Sequence, residues 1–281
     1  MHNNQDQASP GAIRLTVIIS YYKAQDNLRC ILKALSVQSN KHFEVIISED
    51  DNNPDTPALV SEFRQRYSFP IHHIHQDEDL GFRKNKMLNR ALLLSHSDSI
   101  AFIDGDCIPH KHFVKEYIRN MKTGIFLSGR SVMMGEQISQ TIRRHQAIHK
   151  LNFFSLAFTD SQKTKEGIYS PLIPLYLKDR GLVGRNWGIH KQHLLDINGF
   201  DEDYERAGVG EDVDIEWRLL ASGIKNISIK NKAIVFHLYH KQGYSEDGVK
   251  LNFDMLDEKK KAGHLVCLNG IRKNTSSSTS H

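Results

Sequence analysis

Asp104, Gly105 and Asp106 follow the apolar run SIAFI, and two carboxylates two residues apart across a glycine can aim oxygen at a hard divalent cation that also holds phosphate. A lone pair of this kind is also what a solvated turn looks like. A second acidic group, Glu211 and Asp212 with Asp214 and Glu216, comes after Gly208 and Gly210 and runs into IEWRLL. That spacing puts Glu211 and Asp212 at a helix N-terminus, where the helix dipole favours ionised carboxylates. An ionised Asp there can act as general base, although an ordinary acidic capping turn has the same pattern. His237 and His240 end the run AIVFHLYH. Neutral imidazole suits manganese and similar ions, and spacing does not separate the two.

These groups need elements to position them. Residues 13–20, IRLTVIIS, form a β-branched run of buried-strand length. Residues 26–37 then place Leu28, Ile31, Leu32 and Leu35 at helical spacing behind Asp26 as a cap. A strand over 43–48 leads into the acidic loop EDDNNPDTP, followed by a helix over 59–67 and a short strand over 71–74. A helix over 83–95 precedes the strand 99–103. Alternation with short connections predicts a doubly wound α/β sheet that binds ligands at the carboxyl ends of its strands. Further on, 126–132 reads as a strand, 138–158 as a helix, and 161–174 as a mobile lid or acceptor loop. Residues 233–238 read as a strand, 251–272 as a basic helix, and the Ser/Thr-rich end as disordered.

Composition bounds the rest. The 281 residues carry 39% hydrophobic and 25% charged side chains, the balance of one soluble domain. No run approaches the roughly 20 apolar residues of a membrane span, and the polar leader, residues 1–12, lacks signal-peptide features. Cys30, Cys107 and Cys267 are odd in number and unpaired in pattern, which fits a reducing cytoplasm. A net charge of +4 is too mild to demand nucleic acid. Among the 16 histidines, His72, His73, His75, His110 and His112 read as solvated surface residues. Trp217 reads as core, and Trp187, between Asn186 and Gly188, as a platform for a sugar ring. Lys259, Lys260, Lys261, Arg272 and Lys273 read as a solvated face or as a contact with anionic lipid, worth about 1 kcal/mol per basic residue.

Taken in order, SYYKAQDNLRCILKALSVQ, FEVIISEDDN, LGFRKNKMLNRAL and IAFIDGDCIPHKHFV resemble the nucleotide-sugar half of family 2 glycosyltransferases of the GT-A fold. The block NWGIHKQHLLDINGFDEDY, then GVGEDVDIEWRL and a strand ending in HLYH, resembles a galactosyltransferase-type C-terminal module. The likeness covers about residues 13–240. It implies a Rossmann-like, mostly parallel sheet with helices on both faces plus an acceptor-side subdomain. The halves would be 13–120 for the nucleotide sugar and 121–250 for acceptor and catalysis, with 251–281 a C-terminal helix and tail.

By position, the resemblance puts Ser20 and Tyr22 at the uridine pocket, Asp50 at the acid that accepts a hydrogen bond from uracil, and Arg83 near the nucleotide. It makes Asp104 and Asp106 the metal-binding pair, Asp104 also facing the nucleotide, and His237 the later histidine that completes coordination of Mn2+ or Mg2+. Asp212 matches the base of inverting members, and Glu211, Asn186, Trp187 and Gly188 match positions near donor sugar and acceptor. Where many relatives read DDGS, this chain reads EDDNN. The implied reaction moves a hexose or N-acetylhexosamine from a UDP-sugar to a glycan or lipid-linked glycan, in the cytoplasm or at the inner face of an anionic membrane. Two other classes stay open, a nucleotidyltransferase and a non-catalytic carbohydrate binder. The first would show a glycine-rich phosphate loop after the first strand, which SYYKAQDN lacks. The second has no need of Asp104, Asp106, Asp212 and His237 together.

Overall fold

A computed structural model describes residues 12–172, 181–208, 211–241, 243 and 245–273. Strand and helix alternate as β1 (Leu15–Tyr21), α1 (Gln25–Ser36), β2 (Phe43–Glu49), α2 (Thr56–Arg66), β3 (Ile71–Ile74), α3 (Lys84–Leu94) and β4 (Ser99–Asp104). Then come β5 (Cys107–Pro109), α4 (Phe113–Asn120), β6 (Ile125–Ser128), β7 (Arg130–Met133), α5 (Glu136–His145) and α6 (Phe153–Ala157). The chain continues with β8 (Asn186–His190), α7 (Lys191–Asp196), α8 (Glu211–Ala221), β9 (Lys225–Ser228), β10 (Ile234–His237) and α9 (Glu246–Lys261).

Seven strands form one sheet in the order β3-β2-β1-β4-β8-β6-β9. Only β8 runs against the others, pairing antiparallel with both β4 and β6. Helices cover both faces, which is why β2 is buried at all seven positions instead of alternating with polar residues. The two-residue pleat divides the core. Val17, Ile19, Val45, Ile47 and Ile103 pack with α1, α2 and α4 on one face, while Ile18, Ile46, Ile100 and Phe102 pack with α3, β8 and α8 on the other. A second sheet, β5-β10-β7, takes one strand from before residue 120 and two from after it.

Several sequence expectations change. Asp26 lies in the first turn of α1; Ala24 is the capping residue and no side chain caps that helix. The single strand expected over 126–132 is two, β6 and β7, in different sheets, and the break falls at Gly129, where any Cβ would collide with the Asn186 side chain. The single helix over 138–158 is α5, a 3-10 turn and α6, interrupted at Gln146 with φ +46°. The supposed mobile loop is tied down at its start. Gln162 and Met133 exchange backbone hydrogen bonds, and Glu166 is buried in a 3-10 turn. Its end, 173–174, lies outside the described residues, as do residues 1–11 of the leader and 274–281 of the tail.

The C-terminal helix α9 starts at Glu246 and stops at Lys261, short of the expected Arg272. Within it Lys259 is turned inward to Asp201 and Asp203 at 2.6 and 2.5 Å, and Lys260 lies over the half-buried Trp217. That basic cluster is therefore partly internal, and Trp217, expected in the core, belongs to neither core cluster. Two of the supposed surface histidines are sheltered. The His73 side chain, 7% exposed, meets Glu49 at 2.6 Å, and burial pushes His110 down to about 4.

Candidate active site

The carboxyl ends of β1, β2 and β4 open into a cleft of about 530 Å³ lined by Ser20, Tyr22, Asp50, Lys84, Asp104, Asp106 and His240. Adjacent parallel strands end at one edge of the sheet, so acids distant in sequence meet there. Gly105 makes the meeting possible. A Cβ on it would stand 2.8 Å from the Ser20 carbonyl oxygen, so only glycine lets the turn after β4 lie against the end of β1.

Asp50, just past β2, holds its carboxylate on the backbone N–H of Arg83 at 3.1 and 3.0 Å and on Gln76 Nε2 at 3.0 Å. Burial nevertheless pushes its carboxyl up to about 7. The Arg83 side chain turns out of the cleft, its Nε 3.4 Å from Glu205 and its Nη1 donating to the Phe82 carbonyl. Its neighbour Lys84 takes the inward place, with Nζ 2.9 Å from Asp104 Oδ1. Of the two, Arg83 therefore acts through its backbone, and the charge in the cleft is that of Lys84. Tyr22, half exposed, lies on the cleft wall with the Lys23 ammonium 4.7 Å from its ring.

Asp106 Oδ2 faces two imidazoles, His237 Nε2 at 3.5 Å and His240 Nε2 at 3.1 Å. Burial works against its charge, but the His240 hydrogen bond and the nearby His237 outweigh it and hold the carboxyl down at about 2. Burial lowers His237 and so favours its neutral, ligating form. The Asp106 hydrogen bond raises His240. The two histidines open differently: His240 lines the cleft, and His237 lines an adjoining groove of about 550 Å³ that His240 also borders. Cys107 lies close enough to join the group, but burial raises its thiol far up and it donates to Asp106 Oδ1 at 3.2 Å. A neutral thiol supports the carboxylate without competing as a ligand.

Of the acids at the start of α8, Asp212 faces the cleft side. It is half-buried, accepts from Gly184 N–H at 3.3 Å and from Val213 N–H at 2.9 Å, and borders a small gap with Ser20 and Lys84. Asp214 points into the core, paired to the fully buried Arg218 at 2.6 Å, whose Nη1 also donates to the carbonyls of Ile197 and Gly199. Glu216 accepts from Leu182 N–H at 2.7 Å. Glu211 heads the helix.

The expectation for Asn186, Trp187 and Gly188 as sugar contacts is corrected, because all three are interior residues of β8. Asn186 is fully buried, donates to the carbonyls of Arg130 and Ala233, and accepts from Tyr117. Trp187 is 2% exposed, stacked on Phe102 at 4.5 Å with Phe200 edge-on. Gly188 lies under the Tyr117 ring and the Ile100 carbonyl. Phe102, Trp187 and Phe200, distant in sequence, line the small gap that Asp212 borders. Lys84 is the residue that sequence reasoning missed; one step along the GFRKNK motif was the only signal available.

A doubly wound sheet with an acidic cleft at its carboxyl edge and a small sheet carrying the late histidines has the GT-A architecture. The family model "Glycosyl transferase family 2" matches residues 16–179, and the chain belongs to that family. Over 121 residues it is 26% identical to "Glycosyltransferase AglE" of Haloferax volcanii, a match that takes in 42% of this chain and 39% of that protein. The chain thus spans about two fifths of the curated relative it matches. Among solved structures it resembles S. aureus TarS 1-349 in complex with UDP, with TM-score 0.60 and 15% identity over 88% of this chain and 65% of that one. It also resembles GalNAc-T7 with UDP, GalNAc and Mn2+, with TM-score 0.61 and 11% identity over 92% and 51% of the two chains. A third likeness is to the mannosyltransferase PcManGT of Pyrobaculum calidifontis in complex with GDP-Man and Mn2+, with TM-score 0.56 and 15% identity over 90% and 63%. At such identities these structures establish the fold.

Proposed function

We propose that the protein is a metal-dependent, inverting glycosyltransferase that moves a hexose or N-acetylhexosamine from a UDP-sugar to a hydroxyl of a glycan or lipid-linked glycan. The observation that carries this is the gathering of Asp104, Asp106 and His240 in one cleft, with His237 on the adjoining groove and Asp212 on the adjoining gap, from three separate segments of the chain. The relatives bound to UDP or GDP-Man, two of them with Mn2+, support the same reading.

The residues present fit a hard or borderline cation. Carboxylate oxygens of Asp104 and Asp106 and a neutral imidazole from His237 make the donor set that Mn2+ or Mg2+ takes, and the Lys84 ammonium on Asp104 marks a point where positive charge is stabilised. When bound, the ion neutralises the charge that develops on the departing diphosphate. Lys84 adds a fixed positive charge on the same side. Asp50 and Tyr22 hold the nucleobase end, Asp50 by accepting a hydrogen bond from the uracil ring. Asp212, on the other side of Ser20 and Lys84, takes the proton of the attacking hydroxyl on its carboxylate. One C–O bond forms at the anomeric carbon as the bond to UDP breaks, so an α-linked donor gives a β-linked product.

A panel of UDP-sugars with mixed glycan acceptors, with and without Mn2+, tests the reading by UDP release and by NMR of the product anomer. Asp212→Asn is expected to lower kcat by about 10²–10⁴ with little change in KM. A retained anomeric centre overturns inversion, and no UDP release from any donor overturns the reaction class. Among the described residues no helix is long and apolar enough to cross a membrane. Contact with an anionic membrane would rest on Lys261 and Arg272, because Lys259 is engaged with Asp201 and Asp203, Lys260 lies over Trp217 and Lys273 is paired with Glu202; sedimentation with anionic vesicles at low and high salt tests it.

A further inference from the structure

A second group of ligating side chains lies at the opposite, amino-terminal edge of the sheet. Glu44, the second residue of β2, is fully buried and pairs in register with Thr16 of β1, four residues and roughly 13 Å along the strand from Ser20. Its two oxygens are used differently. Oε1 is satisfied by Thr16 Oγ1 at 2.6 Å and by the His96 backbone N–H at 2.7 Å. Oε2 faces two imidazole nitrogens, His96 Nδ1 at 2.8 Å and His72 Nε2 at 3.3 Å.

We propose that Glu44, His72 and His96 form a divalent-metal site for zinc or a similar borderline ion, separate from the cleft. One oxygen and two nitrogens lie within 4.8 Å of one another. Ligands held about 2.0–2.2 Å from a shared ion sit about 3 Å apart, close to the spacings of Oε2 to the two imidazoles. Thr16 and the His96 N–H do for Glu44 what outer-shell partners do in metal sites, fixing one oxygen so that the other points outward. The imidazoles are 33% and 58% exposed, which leaves water free to complete the coordination and the ion free to enter. Two nitrogens and one carboxylate suit zinc better than the oxygen-rich pair in the cleft does. Bound there, the ion would join β2, β3 and the turn before β4.

Tag-free full-length protein, stripped with chelator, is titrated with Zn2+ alone, and bound zinc is counted after gel filtration. The Asp104→Asn/Asp106→Asn variant is expected to keep one tight zinc per chain. The His72→Ala/His96→Ala variant is expected to bind one fewer than wild type and to lose the zinc-dependent rise in Tm. His96→Gln keeps a donor for Glu44 in a side chain that binds zinc poorly. It serves if the double variant fails to fold, and its zinc affinity should fall by at least about tenfold. Equal zinc stoichiometry and affinity in wild type and the folded histidine variants overturn the site and leave an ordinary imidazole–carboxylate cluster. The result does not depend on whether the cleft transfers sugar.

Discussion

The chain leaves β2 and β4 through two acidic turns on the same edge of the sheet, and the two turns treat their carboxylates in opposite ways. At the end of β2, burial pushes Asp50 up to about 7 and, helped by the charge of Glu49, Asp51 up to about 6. Asp50 meets backbone N–H and an amide, with no cationic side chain in direct contact among the described residues. At the end of β4, imidazoles hold Asp106 down at about 2 and an ammonium sits on Asp104. The same residue type on nearby strands is thus prepared for two tasks. One turn can recognise a neutral hydrogen-bonding edge, as a nucleobase presents. The other is prepared for charge.

Between the two turns, the larger effect should come from removing charge on the β4 side. Asp106→Asn is expected to lower kcat/KM for UDP release by about 10²–10³, unrescued by added Mn2+, in steady-state assays. A variant with wild-type turnover would erase the difference between the two turns. Gly105→Ala keeps both acids but forces the turn off the Ser20 carbonyl. It should cost about 1–3 kcal/mol in denaturant melts and up to about 10² in rate through misplacement.

At Asp50 the expected effect is on stability and its pH dependence. A carboxyl raised to about 7 in the fold from about 3.9 unfolded binds more protons folded than unfolded between those values, so its burial costs stability as pH rises from about 4 to about 7. Asp50→Asn should therefore be the more stable protein at pH 8, with the gap closing toward pH 4, as read from denaturant midpoints. A gap that does not vary with pH would show that burial does not set the Asp50 titration.

Up to residue 104 the fold was legible because a parallel sheet covered on both faces leaves uninterrupted apolar runs such as LTVIISY and FEVIISE. Beyond it the signals weaken for particular reasons. Gly129 lets the chain pass from one sheet to the other between Ser128 and Arg130, both buried in strands, so the two short strands read as one. Gln146 takes a left-handed conformation that nothing in its residue type announces. Trp187 between Asn and Gly is consistent with a sugar platform or with a core, and only β8 inserted antiparallel beside β4 makes it core. The acids and histidines of the cleft were readable as types, whereas Lys84 over Arg83 depended on which way the first turn of α3 faces.

The pairing of β5 with β10 has a wider consequence. His237 sits opposite Cys107, in a ladder only three residues long, so the late histidine is placed against the acidic turn by backbone pairing and not by the hundred or so residues between them. Changes at groove-lining residues such as Glu136, Asp160 and Lys163 can therefore reshape the neighbouring groove while leaving the ladder that places His237 intact. In design terms, the ladder is the constant part and the wall of the groove the replaceable one.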